Sequence, residues 1–150
     1  MTDYGHDLSF GAFITPVANP PHRAVELAVA AERAGLDIVG FQDHPYLATL
    51  HDTWTLMSYV AAHTERIRIT GNVLNLPLRP PIVLARAAAS LDRLSNGRVE
   101  IGLGAGAFWD GIAAMGAERR SPGESVSALY EAIVVMRGVW NTDEPDAFRF

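Results

Sequence analysis

The sequence contains no cysteine and no lysine, and all 12 of its basic residues are arginines. Those two absences remove a cysteine nucleophile, a disulfide, a thiolate zinc site, a Schiff-base lysine and a P-loop lysine from the chemistry that these residues alone supply. Positive charge is also sparse. Only Arg119 and Arg120 are adjacent, and the formal charge is −5 at pH 7, so a nucleic-acid groove, which needs clustered positive charge, is not expected. Long apolar runs are missing as well: no uncharged stretch approaches the roughly 20 residues that span a bilayer. Met1 to Asp7 is polar and acidic, unlike a signal peptide. The expectation is a cytoplasmic protein with no membrane and no nucleic-acid partner. What remains, 49% hydrophobic and 19% charged residues over 150 positions, is the composition of a globular domain with one core.

The apolar pattern alternates between strand-like and helix-like stretches. Leu8 to Ile14 reads as a strand closed by Thr15-Pro16 and Asn19-Pro20-Pro21. Helical spacing of Val25, Ala28, Val29 and Ala31 predicts a helix from His22 to Ala34, stopped by Gly35. Asp37 to Gln42 predicts a second strand, and Asp52 caps a helix from Thr53 to about Thr64. Ile67 to Val73 predicts a third strand, Pro80-Pro81 opens a helix ending at Asn96-Gly97, and Val99 to Leu103 predicts a fourth strand. Ser121-Pro122-Gly123-Glu124 has the form of a capping box launching a helix to about Val139. One short turn is expected around Ile112 to Met115, and none in Asn141 to Phe150, which ends on Phe148 and Phe150 as if cut short.

The strands begin near residues 8, 36, 67 and 98, a spacing that fits βα units. Apolar residues at both parities along the strands suit a parallel sheet covered on both faces, or one whose inner face lines a barrel. An open doubly wound sheet and a (β/α)8 barrel share this pattern. The turn after the first strand lacks the glycine fingerprint of a dinucleotide fold, which disfavours that version. A complete barrel takes about 250 residues, so four units make half of one, with no second domain.

Reactive residues of parallel α/β proteins gather at the carboxyl ends of the strands. The second strand delivers Gln42-Asp43-His44-Pro45-Tyr46, where Asp43 beside His44 suits fixing an imidazole tautomer for proton donation or electrostatic work; a turn cap and a surface histidine are the plainer alternative. The third strand delivers Thr70-Gly71-Asn72-Val73-Leu74-Asn75, with Gly71 marking a bulge, a ligand's close approach, or simple packing. The fourth delivers Gly102-Leu103-Gly104-Ala105-Gly106-Ala107-Phe108-Trp109-Asp110, glycines that leave room for a planar ring, with Phe108 and Trp109 as candidate walls. His51 with Asp43, His44 and Asp52 has no recognised ligand spacing, and no metal is expected. His6, His22 and His63 have no distinguishing context.

Phe10-Gly11-Ala12-Phe13, Ala31 to Asp37, Phe41-Gln42-Asp43-His44, Leu91-Asp92-Arg93-Leu94-Ser95-Asn96-Gly97-Arg98 and Gly102 to Gly106 resemble, in this order, the bacterial luciferase-like superfamily of flavin- and coenzyme F420-dependent oxidoreductases. The resemblance runs from about Leu8 to Trp140. It implies a luciferase-like TIM barrel of which this chain is about the first four βα units, and an oxidoreductase transferring hydride between coenzyme F420 and a small organic substrate. An FMN-dependent monooxygenase is the alternative cofactor reading. It further implies His44 and Asp43 as catalytic residues, and Asp43, Gly71, Asn72, Val73, Gly104, Ala105, Gly106 and Asp110 as cofactor-binding. Members carry a cis peptide between non-proline residues after strand 3, and Asn72-Val73 falls on that position. Sugar-phosphate dehydrogenases of the superfamily place a glutamate in the strand 4 loop where this chain has Ala107. A homodimer is the expected assembly; a noncatalytic half-barrel that associates with a partner chain through its open sheet edges is the rival expectation.

Overall fold

A computed structural model describes Gly5 and residues 7–143; His6 and the terminal Phe148 and Phe150 lie outside the described residues. Four strands, β1 (Gly11–Ile14), β2 (Ile38–Phe41), β3 (Arg68–Asn75) and β4 (Val99–Gly104), alternate with α1 (Arg23–Arg33), α2 (Thr53–His63) and α3 (Pro81–Leu94). A short helix α4 (Trp109–Ala114) and a long helix α5 (Pro122–Trp140) follow β4. All neighbouring strands are parallel, in the order β1-β2-β3-β4. A doubly wound sheet reverses its strand order at a switch point. This sheet does not, so its crossovers, right-handed by rule, place the helices on one face, and the barrel arrangement is the one observed.

Ile14, Val39, Phe41, Ile69 and Leu74 are buried in one cluster with Ala24, Val25, Ala28, Leu56, Met57, Val60, Leu84 and Ala85 from the helices. The opposite face of the sheet is mixed rather than uniformly apolar, contrary to the sequence pattern's suggestion. A side chain on Gly40 would stand 3.4 to 3.8 Å from Asn72, Thr70 and Phe13, which places these residues on that second face. Arg68 and Glu100 form an ion pair there across β3 and β4.

Local capping chemistry sets most boundaries. Asp52 accepts from the Thr55 amide at 2.8 Å to start α2, and both hydrogen bonds of the Ser121/Glu124 capping box are present at α5. Gly35 ends α1 at φ 85°, and Asn96 and Gly97 end the α3 segment at φ 59° and 81°, the left-handed conformation that closes helices. The buried Arg98 guanidinium donates to the backbone carbonyls of Ala61, Thr64, Ile67 and Ser95 at 2.8 to 3.1 Å. It thereby ties the start of β4 to the end of α2.

Glu32 performs a similar tie at the end of α1. Its Oε1 accepts from the amides of Glu65, Arg66 and Ile67 at 3.0, 2.7 and 2.9 Å. Burial raises the Glu32 carboxyl, but the three amides, with the charge of Arg98 behind them, outweigh it and hold it below its ordinary 4.5. A carboxyl with a depressed folded-state pKa stabilises above its unfolded value and loses that contribution as pH falls through the folded one. Glu32→Gln is therefore expected to cost about 1 kcal/mol at neutral pH. Urea unfolding at stepped pH should show the variant losing less stability than the parent below about pH 4.5.

Candidate active site

The carboxyl ends of β2, β3 and β4 converge on a cleft of about 270 Å3 whose lining includes His44, Tyr46, Asn72, Val73, Asn75 and Phe108. Its floor is made by an irregularity in β3. Gly71 pairs with Ile101 and Leu74 with Leu103, so β3 has one residue more than β4 over this span, a β-bulge. The Asn72–Val73 peptide is cis. The glycines of β4 make room for this bulge: a side chain on Gly102 would strike the Gly71 carbonyl oxygen, and one on Gly104 would strike Val73. Their bareness serves the neighbouring strand, and Val73, 43% exposed, is presented to the cleft. Gly106 turns the chain at φ 99°, where a side chain would lie 2.8 Å from Pro77.

Asp43 anchors the rear of the site. Its carboxylate accepts from the Asn75 amide at 2.9 Å and, in fork geometry, from Arg79 Nε and Nη2 at 2.7 and 2.8 Å. Arg79 Nη2 also donates to Asp52 Oδ2 at 2.8 Å. One guanidinium thus joins the end of β2, the segment after the β3 bulge and the first turn of α2. Burial disfavours the charged guanidinium, yet the contacts to Asp43 and then Asp52 prevail and raise the Arg79 pKa. Burial likewise raises the Asp52 carboxyl, and the Thr55 amide, Arg79 and the Thr55 hydroxyl together bring it below its ordinary value.

His44 stands at the mouth of the cleft. Its Nδ1 lies 2.6 Å from the Tyr46 hydroxyl, and the Phe108 ring meets the imidazole edge-on, with centroids 5.4 Å apart at 80°. Phe108, 62% exposed, walls the site. Deeper in, the Asn75 Oδ1 is buried without a hydrogen-bond partner. A buried, unpaired amide oxygen carries a free-energy cost, and a ligand N–H would relieve it.

The structure brings His44, Asn72, Val73, Gly104, Ala105 and Gly106 into one cleft, with Asp43 beneath them. Four expectations need correction. Asp43 does not hydrogen-bond His44, because both of its oxygens face Arg79 and the Asn75 amide; it positions the site and does not tune the imidazole directly. Gly71 does not line the cleft: a side chain there would strike Leu74, so it is a packing glycine beneath the bulge. Asp110, in the first turn of α4, points outward with its side chain 98% exposed and pairs with Arg119. Trp109 packs near Gly106 and is absent from the cleft lining. The sequence places Tyr46 and Asn75 in the strand-end segments without giving them a role, and it does not point to Arg79. The Asp43 and Arg79 contact joins positions 36 residues apart, and only a paired-charge search among the strand-end loops would have found it.

The remaining histidines have local roles. His51 Nε2 lies 2.9 Å from the Pro21 carbonyl, and His63 Nδ1 lies 2.7 Å from the Tyr59 carbonyl. Among the described residues, no group of three or more His, Asp or Glu is arranged to hold a metal ion. No helix among them is long and apolar enough to cross a membrane.

The model of the luciferase-like monooxygenase family matches residues 4–150. An F420-dependent glucose-6-phosphate dehydrogenase of Amycolatopsis mediterranei is 39% identical over 130 residues, covering 82% of this chain and 39% of the relative. An F420-dependent secondary alcohol dehydrogenase, solved with an F420-acetone adduct, superposes with a TM-score of 0.81 at 27% identity, over 95% of this chain and 46% of that one. The FMN complex of the oxygenating constituent of 3,6-diketocamphane monooxygenase from Pseudomonas putida shares the fold, with a TM-score of 0.74 at 23% identity over 88% and 39% of the two chains. The chain spans less than half the length of each of these proteins. With four sequential parallel βα units and a bulged third strand, it belongs to the luciferase-like monooxygenase family.

Proposed function

We propose that this chain supplies the ring-binding part of an oxidoreductase that transfers hydride between coenzyme F420 and a small organic substrate. The observation that carries the reading is the cleft over the Asn72–Val73 bulge. It combines an apolar floor at Val73, an aromatic wall at Phe108 and a buried Asn75 Oδ1 with no partner. A flat heterocycle with an apolar face and an N–H-bearing edge fits that acceptor and those surfaces. The F420-dependent relative and the F420-dependent structural neighbour favour deazaflavin over FMN as its identity.

When bound, the deazaflavin supplies the hydride chemistry; the chain's residues bind and orient. Val73 and Phe108 exclude water from the ring slot, and Asn75 offers its carboxamide to the ring's polar edge. Asp43 and Arg79 fix the loop that carries His44. Ala107 offers neither an acid nor a base in the loop after β4, so the polar contact to the substrate falls to His44. The experiment is an equilibrium titration of the protein with coenzyme F420 and, separately, with FMN, followed by fluorescence. Saturable binding of F420 with weak or no FMN binding is expected. Tight FMN binding with none of F420 would overturn the cofactor assignment, and binding of neither would overturn the reading.

A further inference from the structure

The cleft contains one hydrogen bond that the functional reading above does not use. His44 Nδ1 and the Tyr46 hydroxyl are 2.6 Å apart, and among the described residues no other hydrogen bond is formed by that hydroxyl or by His44 Nε2. Nearby packing holds the pair in place. The Tyr46 ring lies on the bare backbone of Gly111 in α4, where a side chain would come within 2.8 Å of it. Phe108 packs against both rings, with centroids 5.4 Å from His44 and 6.2 Å from Tyr46.

Proton accounting gives the contact a direction. Among the described residues, His44 Nδ1 is the one acceptor at hydrogen-bond distance from the Tyr46 hydroxyl. A neutral imidazole whose Nδ1 accepts carries its own hydrogen on Nε2. We propose that Tyr46 donates to His44 Nδ1 and so holds the imidazole as its neutral Nε2–H tautomer, making His44 a hydrogen-bond donor toward a substrate oxygen. Tyr46 is then a positioning residue that acts through His44. Burial, and next the negative charge of Asp43, raise the Tyr46 pKa, which favours the protonated phenol. Asp43, whose charge reaches Tyr46, is engaged by Arg79 and the Asn75 amide, and Asp110, next to Gly111 on α4, is paired with Arg119; among the described residues neither carboxylate hydrogen-bonds Nδ1.

Resting on the functional reading above, this assignment gives His44 an N–H for a hydrogen-bond-accepting oxygen of the substrate. Were the substrate a carbonyl and bound reduced deazaflavin its hydride source, hydride addition to the carbonyl carbon would move the C=O electron pair onto oxygen. Nε2–H stabilises that developing charge, as preorganised donors do at oxyanions, and a solvent proton completes the alcohol.

The test is nitrogen-15 NMR of the histidine side chains in the protein without cofactor, the His44 signals being assigned by their absence in a His44→Ala variant. The proposal expects neutral His44 as the Nε2–H tautomer, with Nδ1 shifted as a hydrogen-bond acceptor. Tyr46→Phe should release Nδ1 to the position of an unbonded nitrogen and let the Nδ1–H form appear. Gly111→Ala, which displaces the Tyr46 ring while keeping its hydroxyl, should do the same. In turnover with F420, Tyr46→Phe should lose about tenfold in kcat with the cofactor Kd unchanged. An Nδ1–H tautomer in the parent protein, or an unchanged His44 signal in Tyr46→Phe, overturns the proposal. Failure of F420 to bind while the tautomer is as expected overturns the functional reading alone.

Discussion

Arg79→Met is expected to lower the unfolding free energy by about 3–5 kcal/mol, the range for removing one partner of a buried ion pair. The Asp43 side chain is fully buried, and Arg79 is largely so. Methionine fills similar space but leaves the carboxylate with only the Asn75 amide as a donor. The cost is that of an uncompensated buried charge, and it far exceeds the worth of an exposed pair such as Arg23 with Glu26, where little or nothing is at stake. Arg79→Lys should be intermediate, because an ammonium keeps the charge and loses the two-pronged contact. Chemical denaturation of the three proteins measures the series, and a loss below about 1 kcal/mol for Arg79→Met would show that the guanidinium does not hold the site together. The same variant should weaken F420 binding, since Arg79 fixes both Asn75 and the loop carrying His44.

His44→Ala addresses chemistry rather than stability. Turnover with F420 should fall by about 100-fold to 1,000-fold, the scale for removing a donor that stabilises charge on a reacting oxygen. The cofactor Kd should change by less than about threefold, because in this account His44 faces the substrate and the ring rests on Val73 and Asn75. The imidazole is partly exposed at the mouth of the cleft and its contacts are Tyr46 and Phe108, so the fold should tolerate its loss. Steady-state kinetics beside a binding titration separates the two effects. A rate within about twofold of the parent would remove His44 from the site.

Much of the fold was legible because its signals are local. The caps at Asp52 and Ser121 and the stops at Gly35 and Asn96-Gly97 are chemistry within one turn of chain, and each falls where the sequence pattern puts it. Strand ends were less legible. Leu8 to Phe10 has strand-like composition, yet the Phe10 amide donates to the Asp37 side chain and the paired ladder begins at Gly11. In the other direction β3 continues to Asn75, two residues beyond the expected end, because pairing resumes after the bulge.

The site divides along the same line. His44, Val73 and the glycines after β4 were placed by their position at strand ends, which the βα period supplies. The cis peptide at Asn72–Val73 came from family resemblance, since nothing in the chemistry of those two residues announces it. Gly71 and Asp110 were misplaced for one shared reason: sequence gives neither the partner that a bare backbone accommodates, here Leu74, nor the side to which a first-turn carboxylate points, here Arg119. The Asp43 and Arg79 clamp depends on two loops meeting, and the neighbouring His44 made a more obvious but incorrect partner for Asp43.

A crystal structure of the protein with coenzyme F420 would show where the ring lies. The deazaflavin ring is expected in the cleft, in van der Waals contact with Val73, with Asn75 Oδ1 accepting a hydrogen bond from the ring and His44 Nε2 open toward the substrate side. A ring bound elsewhere on the molecule, or one that leaves Val73 and Asn75 untouched, would contradict that expectation.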